Sequence, residues 1–293
     1  MSDRNRIVLD IAEICLSVEA DRHMDRIQMG GAFEAFFNAS PPTVKARVLS
    51  SPMPALFLTA ESLVFDVRDR WAFYRMDGQN VLVQRHSASS SLADRLMIFD
   101  RDFTHGEIFI RGPFSADSPV TLPNPLDYPL GQVLMVCLLA RSRGVMVHAC
   151  GIDDHGRGYL FAGNSGHGKS TMARLWNEEA RILNDDRIVV REKDGQFWMY
   201  ATPWHGDVAA VSPEAVPLAG IFFLGRSGDH TLVPVGRLQA STKLLTRLFP
   251  PLWDPDGMAF TLGFLARLTA AVPCCDLAFV PHKSIVDFVR CSV

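Results

Sequence analysis

The chain has 293 residues, 48% of them hydrophobic, and a formal net charge of −3. That is enough for one large domain or two unequal ones, each with a core. The near-neutral charge and the lack of a Lys/Arg run give no electrostatic basis for nucleic-acid binding. The longest apolar stretches are interrupted, by Arg141 and Arg143 after Val133–Ala140 and by Pro217 and Gly220 within 215–224. None approaches the ~20 residues that span a bilayer, so no membrane segment is expected. Met1 leads into a mixed segment without the apolar core of a signal peptide. Six scattered cysteines, Cys15, Cys137, Cys150, Cys274, Cys275 and Cys291, form no Cys-x-x-Cys pair. This predicts reduced thiols and a cytoplasmic protein.

In chain order, Ile7–Glu19 is apolar-rich and predicts a strand, and Pro41, Pro42, Ser50, Ser51 and Pro52 punctuate the next segment. Trp71–Met76 and Val81–Arg85 flank Asp77-Gly78-Gln79-Asn80, a hairpin signal. Leu96–Asp100 and Glu107–Arg111 flank Thr104-His105-Gly106 and predict a second hairpin. Residues 1–115 thus read as a mainly antiparallel β region without a catalytic constellation, suited to holding a substrate or partner. Pro113, Pro119, Pro123 and Pro125 mark a loop, and residues 126–293 read as the catalytic domain. A helix is expected over Leu130–Arg143, closed by Gly144. A strand over Val145–Ile152 comes next, then a turn at Asp153–Gly156 and a strand over Gly158–Ala162.

That last strand enters Gly163-Asn164-Ser165-Gly166-His167-Gly168-Lys169-Ser170-Thr171. The form Gly-x-x-x-x-Gly-Lys-Ser, between an apolar strand and an amphipathic helix, is a phosphate-binding loop. Glycines let backbone N–H groups curl around a polyphosphate, and the lysine supplies a cation to the β and γ phosphates. The serine hydroxyl can bind Mg²⁺, and the positive helix end faces the same anion. The expected cofactors are Mg²⁺ and a nucleoside triphosphate, taken here as ATP.

Beyond the loop, Ala180–Leu183 predicts a strand that delivers Asn184-Asp185-Asp186. Ile188–Val190 and Phe197–Ala201 predict a hairpin, Ile221–Leu224 and Leu232–Pro234 further strands, and Leu238–Leu248 and Ala259–Ala271 helices. A strand over Leu277–Val280 and a helix over Ser284–Arg290 close the chain. Paired carboxylates at a strand end can both bind the metal and take the proton of an acceptor hydroxyl. His148 lies on the strand before the loop strand, where alternation sets Met146, His148 and Cys150 on one face. Taken alone, it reads as a core histidine.

His148, then the loop, then Asp185-Asp186 resembles the catalytic core of HPr kinase/phosphorylase, a core also similar to ATP-dependent phosphoenolpyruvate carboxykinase. The resemblance covers about residues 128–235. It implies a mixed α/β P-loop fold with Asp186 as base, His148 supporting it, Lys169 on phosphate and Ser170 on Mg²⁺. Thr171 stands where the family usually has an acidic residue, and the N-terminal region shows no likeness. The implied enzyme is therefore an HPr-kinase-related one that phosphorylates a serine in a peptide or protein, or a small-molecule hydroxyl. The resemblance also admits a homo-oligomer.

The loop Thr202-Pro203-Trp204-His205-Gly206-Asp207 offers Asp207 as a second metal carboxylate and His205 as a substrate contact, with Trp204 read as packing. His23, His86, His105, His155, His230 and His282 have no evident partner, and Arg141, Arg143, Arg226 and Lys243 read as solvated cations. Two other functions compete: a nucleotide-responsive binding or assembly module without turnover, and a carboxykinase-like enzyme acting on a carboxylated metabolite.

Overall fold

The structure, a computed structural model, describes residues 2–50, 53, 54, 56, 58–68, 70–85, 93–112, 114, 118–141 and 143–292. Ser51, Pro52, His86 and Pro113 lie outside them. The chain divides into two compact units, Met1–Leu138 and Leu139–Val293.

The first unit holds β1 (Ser2–Arg4), β2 (Arg6–Ile11), β3 (Ile14–Ala20), β4 (Arg26–Met29), β5 (Val44–Leu49), β6 (Leu63–Val67), β7 (Trp71–Met76), β8 (Gln79–Arg85), β9 (Ala93–Phe99), β10 (His105–Ile110) and β11 (Thr121–Leu122). A 3₁₀ turn spans Gly31–Phe36, and α1 (Leu130–Leu139) runs up to the boundary. Eight strands form one sheet in the order β2-β3-β5-β10-β9-β8-β7-β6, and β1-β4-β11 form another. Pairing is antiparallel apart from β5, which is parallel to both β3 and β10, and β4 with β11. In β5, Val44, Ala46 and Val48 are buried while Lys45 and Arg47 face solvent, the period-two pattern of a sheet with one wet face.

Both expected hairpins are present: the β7–β8 turn is made at Asp77 and Gly78, each at positive φ, whereas the β9–β10 turn lies earlier than expected, at 100–104, because His105 and Gly106 already belong to β10. The single strand expected over Ile7–Glu19 is instead a hairpin of β2 and β3. Its two turn residues, Ala12 and Glu13, take φ of 55° and 59°. Neither residue type signals a left-handed turn, so the break is invisible in composition.

The second unit holds β12 (Val145–Asp154), β13 (Arg157–Ala162), α2 (Lys169–Trp176), β14 (Arg181–Asn184), β15 (Arg187–Lys193), β16 (Gln196–Ala201), β17 (Ala215–Arg226), β18 (Thr231–Pro234), α3 (Arg237–Leu245), α4 (Pro255–Ala271), β19 (Cys274–Phe279) and α5 (Ser284–Ser292). Its eight strands form one sheet, in which two long strands each pair with different neighbours along their length. The first half of β12 pairs with β15, and its second half lies between β13 and β14. The start of β17 pairs with β16, and its remainder lies parallel to β13 and β19. The strand that feeds the loop, β13, thus has a parallel neighbour on one side and an antiparallel one on the other. The class is mixed α/β, as the sequence predicts.

The core beneath the loop is aromatic. Tyr159, Phe161, Phe222 and Trp176 are 0–1% exposed and pack with Met172, Ala173, Ile285 and Val289. Phe161 and Phe222 stack at 5.1 Å, and Tyr159 meets Trp176 edge-on at 5.8 Å. Fully burying side chains of this size stabilises by roughly 2–3 kcal/mol each. They fix α2 against β13, and so fix the loop between them. All six cysteines are free. Among the described residues, no helix is long and apolar enough to cross a membrane.

Candidate active site

The loop turns on glycines that need their freedom. Gly166 and Gly168 sit at φ of 80° and 95°, and a Cβ on Gly168 would stand 2.9 Å from the Phe279 ring. Lys169 opens α2 and folds back over the loop, its Nζ donating to the Gly163 carbonyl at 3.0 Å and the Asn164 carbonyl at 3.2 Å. Lys169 is 7% exposed. Burial pulls its pKa below the usual lysine range, reinforced by Arg187 and opposed by Asp186 and Asp185. Nδ1 of His167 is buried without a hydrogen-bond partner. Arg226 is exposed, as read from the sequence, and it also donates to the Gly166 carbonyl at 2.7 Å.

Asp185 and Asp186 are neighbours with different surroundings. Asp185 is 1% exposed and receives three hydrogen bonds. Ser170 Oγ donates to its Oδ2 at 3.0 Å, and the Gly206 and Val208 N–H groups donate at 2.7 and 3.1 Å. This carboxylate therefore ties the first turn of α2 to the loop after β16. The approach is close: a Cβ on Gly206 would lie 2.9 Å from Asp185 Oδ2. Below it, burial and the Asp185 charge push the fully buried Cys150 thiol upward, which leaves it protonated and inert.

Asp186 is bonded by His148 Nε2 at 2.8 Å through Oδ1 and paired with Arg187 through Oδ2. Burial acts to raise its pKa. The His148 hydrogen bond and the charges of Arg187, His148 and Lys169 outweigh burial and hold the carboxyl below its ordinary value. Asp186 is thus ionised at neutral pH, beside a cation that the loop holds. His148 owes its place to β12, whose backbone is bonded on both sides: His148 N donates to the Arg247 carbonyl at 2.7 Å, and Ala149 N to the Asp186 carbonyl at 3.2 Å.

The structure brings His148, Lys169, Ser170, Asp185 and Asp186 together around the loop. His205 and Asp207 are exposed on the loop after β16; His205 Nδ1 lies 2.9 Å from the Gly206 carbonyl, and Trp204 is buried. Among the described residues, no group of three or more His, Cys, Asp or Glu has metal-holding geometry. Ser170 Oγ, in the first turn of α2, and Asp185 Oδ2, just after β14, lie 3.0 Å apart.

Three residues with parts in this arrangement carry no motif. Asn184 is fully buried and makes four hydrogen bonds. It donates to the Thr202 and Trp204 carbonyls at 2.8 and 3.1 Å and accepts from the Asp186 and Arg187 N–H groups at 2.7 and 2.9 Å. Arg187 pairs with Asp186 and lies 4.2 Å over the Phe249 ring. Phe249 belongs to a segment after α3 that bridges to β12, its N–H donating to the Met146 carbonyl at 3.0 Å. Only the adjacency of Arg187 to Asp186 is visible in the sequence.

Known proteins resemble this chain in part. Residues 130–253 match the model of the ScmC family, described as SynChlorMet cassette protein ScmC. HPr kinase/phosphorylases of Listeria monocytogenes and Listeria welshimeri are 28% identical over 113 residues, 38% of this chain and 33% of theirs. The match therefore spans about a third of the length of these relatives. Among solved structures, the Hpr(Ser) kinase/phosphatase from Coxiella burnetii aligns with 50% of this chain and 90% of its own, at 12% identity and a TM-score of 0.28. Over 38% of its length, this chain carries a weak but consistent relationship to HPr kinase/phosphorylases, while the family model it matches, ScmC, is of a different family.

Proposed function

We propose that this chain is an ATP-dependent kinase that transfers the γ-phosphate to a hydroxyl, that of a serine in a peptide or protein or that of a small molecule. The observation that carries the reading is Asp186: an ionised carboxylate, held by His148 at 2.8 Å, within electrostatic reach of the loop lysine. A phosphate loop alone says only that a polyphosphate binds. A poised carboxylate beside it supplies the group that receives the acceptor's proton.

In this reading the N–H groups of Gly163–Thr171 cradle the phosphates, and Lys169 exchanges its two loop carbonyls for phosphate oxygens. Asp186 accepts the hydroxyl proton while His148 fixes its orientation. Ser170 and Asp185, 3.0 Å apart, form a hard oxygen pair that fits Mg²⁺, which is usually held by one or two protein oxygens plus phosphate and water. Bound Mg²⁺ would offset charge on the transferred group. Asp207 is proposed as a further carboxylate for the metal and His205 as a contact to the acceptor. Residues 126–293 would be the catalytic part, and residues 1–115 would hold the acceptor or a partner. A cytoplasmic homo-oligomer that binds neither nucleic acid nor membrane completes the proposal.

The test is γ-labelled ATP offered with a panel of serine peptides, amino acids and carboxylated metabolites, using wild type, Lys169→Ala and Asp186→Ala. Transfer to a hydroxyl that both substitutions abolish is the expected result. A folded Asp186→Ala protein that transfers at the wild-type rate removes the base assignment. ATP binding with no turnover on any acceptor favours a nucleotide-responsive module, and transfer to carboxylated metabolites alone favours carboxykinase-like chemistry.

A further inference from the structure

We propose that Arg187, clamped between the Asp186 carboxylate and the Phe249 ring, is a positioning residue of the transfer reaction. The inference rests on the kinase reading above and adds to it a residue that no motif contains. Asp186 has two carboxylate oxygens, and the structure gives each a different cationic or hydrogen-bonding neighbour. His148 takes Oδ1, and the Arg187 guanidinium takes Oδ2. With one neighbour the carboxylate could still rotate about its Cβ–Cγ bond. With two, one on each oxygen, that rotation is opposed, and the remaining lone pairs keep one set direction. A base that must meet an acceptor hydroxyl in line with a phosphoryl group needs that fixed direction, since a misplacement of about 1 Å can cost about 100-fold in rate.

Arg187 is itself held. Its side chain is 14% exposed, and its guanidinium carbon sits 4.2 Å from the Phe249 ring centroid. The same ring lies 6.1 Å from the His148 imidazole, so one aromatic side chain backs both neighbours of the base. Phe249 is placed by the segment 246–249, which is bonded along β12 through the Arg247 carbonyl and the Phe249 N–H. The groups that face Asp186 come from each packed element: His148 from β12, Lys169 from α2, and Arg187 itself at the start of β15. A lysine at 187 could not reproduce the clamp. Its ammonium is a point charge and cannot both lie flat on a ring and direct an N–H to Oδ2.

The experiment measures γ-phosphate release from labelled ATP by the full chain, with water, a degenerate serine-peptide library and a panel of small-molecule hydroxyls as acceptors. It compares wild type, Asp186→Asn, Arg187→Ala, Arg187→Lys and Phe249→Leu. Nucleotide affinity is followed in parallel with a non-hydrolysable ATP analogue. Arg187→Ala should lower kcat about 100-fold with KM for ATP and analogue affinity within about twofold of wild type, the split of a group that acts on the reacting geometry. Guanidinium at millimolar concentration should restore part of that rate. Arg187→Lys and Phe249→Leu should each lower kcat about tenfold, and these variants decide the matter if Arg187→Ala does not fold. Wild-type kcat in folded Arg187→Ala or Arg187→Lys, together with an inactive Asp186→Asn, overturns the role of Arg187 and leaves the kinase reading standing. Turnover in Asp186→Asn, or none in wild type, overturns that reading and the present inference with it.

Discussion

Each unit of this chain has a cluster of opposite charges, and the two clusters are built on opposite terms. In the first unit, Arg6, Glu19, Arg47 and Glu107 lie in cross-strand register on β2, β3, β5 and β10. Their signs alternate, the separations are 3.9 Å for Arg6–Glu19 and 3.5 Å for Arg47–Glu107, and the side chains are 41–60% exposed. They line an open cleft of about 700 Å³ together with Lys45 and His105. In the second unit, Lys169 and Asp185 are nearly inaccessible, and His148, Asp186 and Arg187 are 14–25% exposed. Exposed pairs cost little to assemble and contribute little, about 0–1 kcal/mol. Buried charges forfeit several kcal/mol of hydration each and are retained at that cost where their chemistry is used. The comparison marks the second cluster as the one whose assembly costs stability, which is what the proposed function requires of it.

The largest effect that sharpens this contrast is expected from Lys169→Met. On the proposed function, turnover should fall at least about 1,000-fold, because that reading makes Lys169 the phosphate cation. Stability should not fall with it. Burial is the main cause of the depressed Lys169 pKa, so the folded state disfavours the charged form, and a methionine of similar length removes that penalty. The pH dependence carries the sign. Below its depressed pKa the lysine is charged in both folded and unfolded states, and the burial penalty is felt in full. As pH climbs toward 10.5 the unfolded chain binds the proton more than the folded chain does, and wild type gains stability relative to Lys169→Met. Urea unfolding of both proteins at pH 7 and 10 measures it. A Lys169→Met protein weaker by more than about 1 kcal/mol at pH 7 would place the ammonium among the stabilising groups.

Among the changes considered, Asn184→Ala should cost the most stability, about 3 kcal/mol. It takes the amide partner from the Thr202 and Trp204 carbonyls, the latter keeping the Thr202 hydroxyl at 3.4 Å, and from two N–H groups at the turn that carries Asp186. A shift in urea midpoint with unchanged slope is the expected observation. A loss below about 1 kcal/mol would mean that the turn holds without its central amide.

What the sequence disclosed and what it concealed divide along the same physical line. The loop from Gly163 to Ser170 was legible because its function is local: glycines, lysine and helix start are contiguous, between an apolar strand and an amphipathic helix. The hairpins at Asp77-Gly78 and Asp194-Gly195 were legible because the turn residues are of the types that tolerate positive φ. The β2–β3 turn was not, because Ala12 and Glu13 adopt that conformation without belonging to those types. Neither was the parallel placement of β5, which depends on partners far along the chain. In the site, Asp186 could be named from the family resemblance, but the Phe249 support lies some sixty residues on and meets Arg187 where the chain bridges from 248 to Val147. Asn184 reads as a polar turn residue until its four partners are seen.

Gly206→Ala tests a smaller term, the closeness of Asp185 to its own loop. A methyl group there would meet Oδ2 at 2.9 Å and Oδ1 at 3.1 Å, so either the carboxylate or the 206–208 backbone must move. A cost of about 1–2 kcal/mol is expected. Because the same carboxylate holds the Ser170 hydroxyl, Mg²⁺-dependent nucleotide affinity should weaken in parallel. Isothermal titration with and without Mg²⁺ separates the two: weakening in Mg²⁺ alone supports Asp185 as a metal ligand, and equal weakening in both argues for a purely structural carboxylate.

The smallest effect is expected where the comparison began. Arg47 is paired with Asp21 as well as with Glu107, so it is the most connected member of the exposed ladder. Even so, a double-mutant cycle of Arg47→Ala with Glu107→Ala should give a coupling of no more than about 1 kcal/mol at low salt. The reason is dielectric: both side chains are bathed in water, where two unit charges 4 Å apart interact by only about 1 kcal/mol. At 1 M salt the screening length falls to about 3 Å, and the coupling should vanish. A coupling that survives high salt would require the ladder to be shielded from solvent. In that event, something other than water would have to cover the cleft of the first unit, and the contrast between an idle cluster and a working one would have to be redrawn.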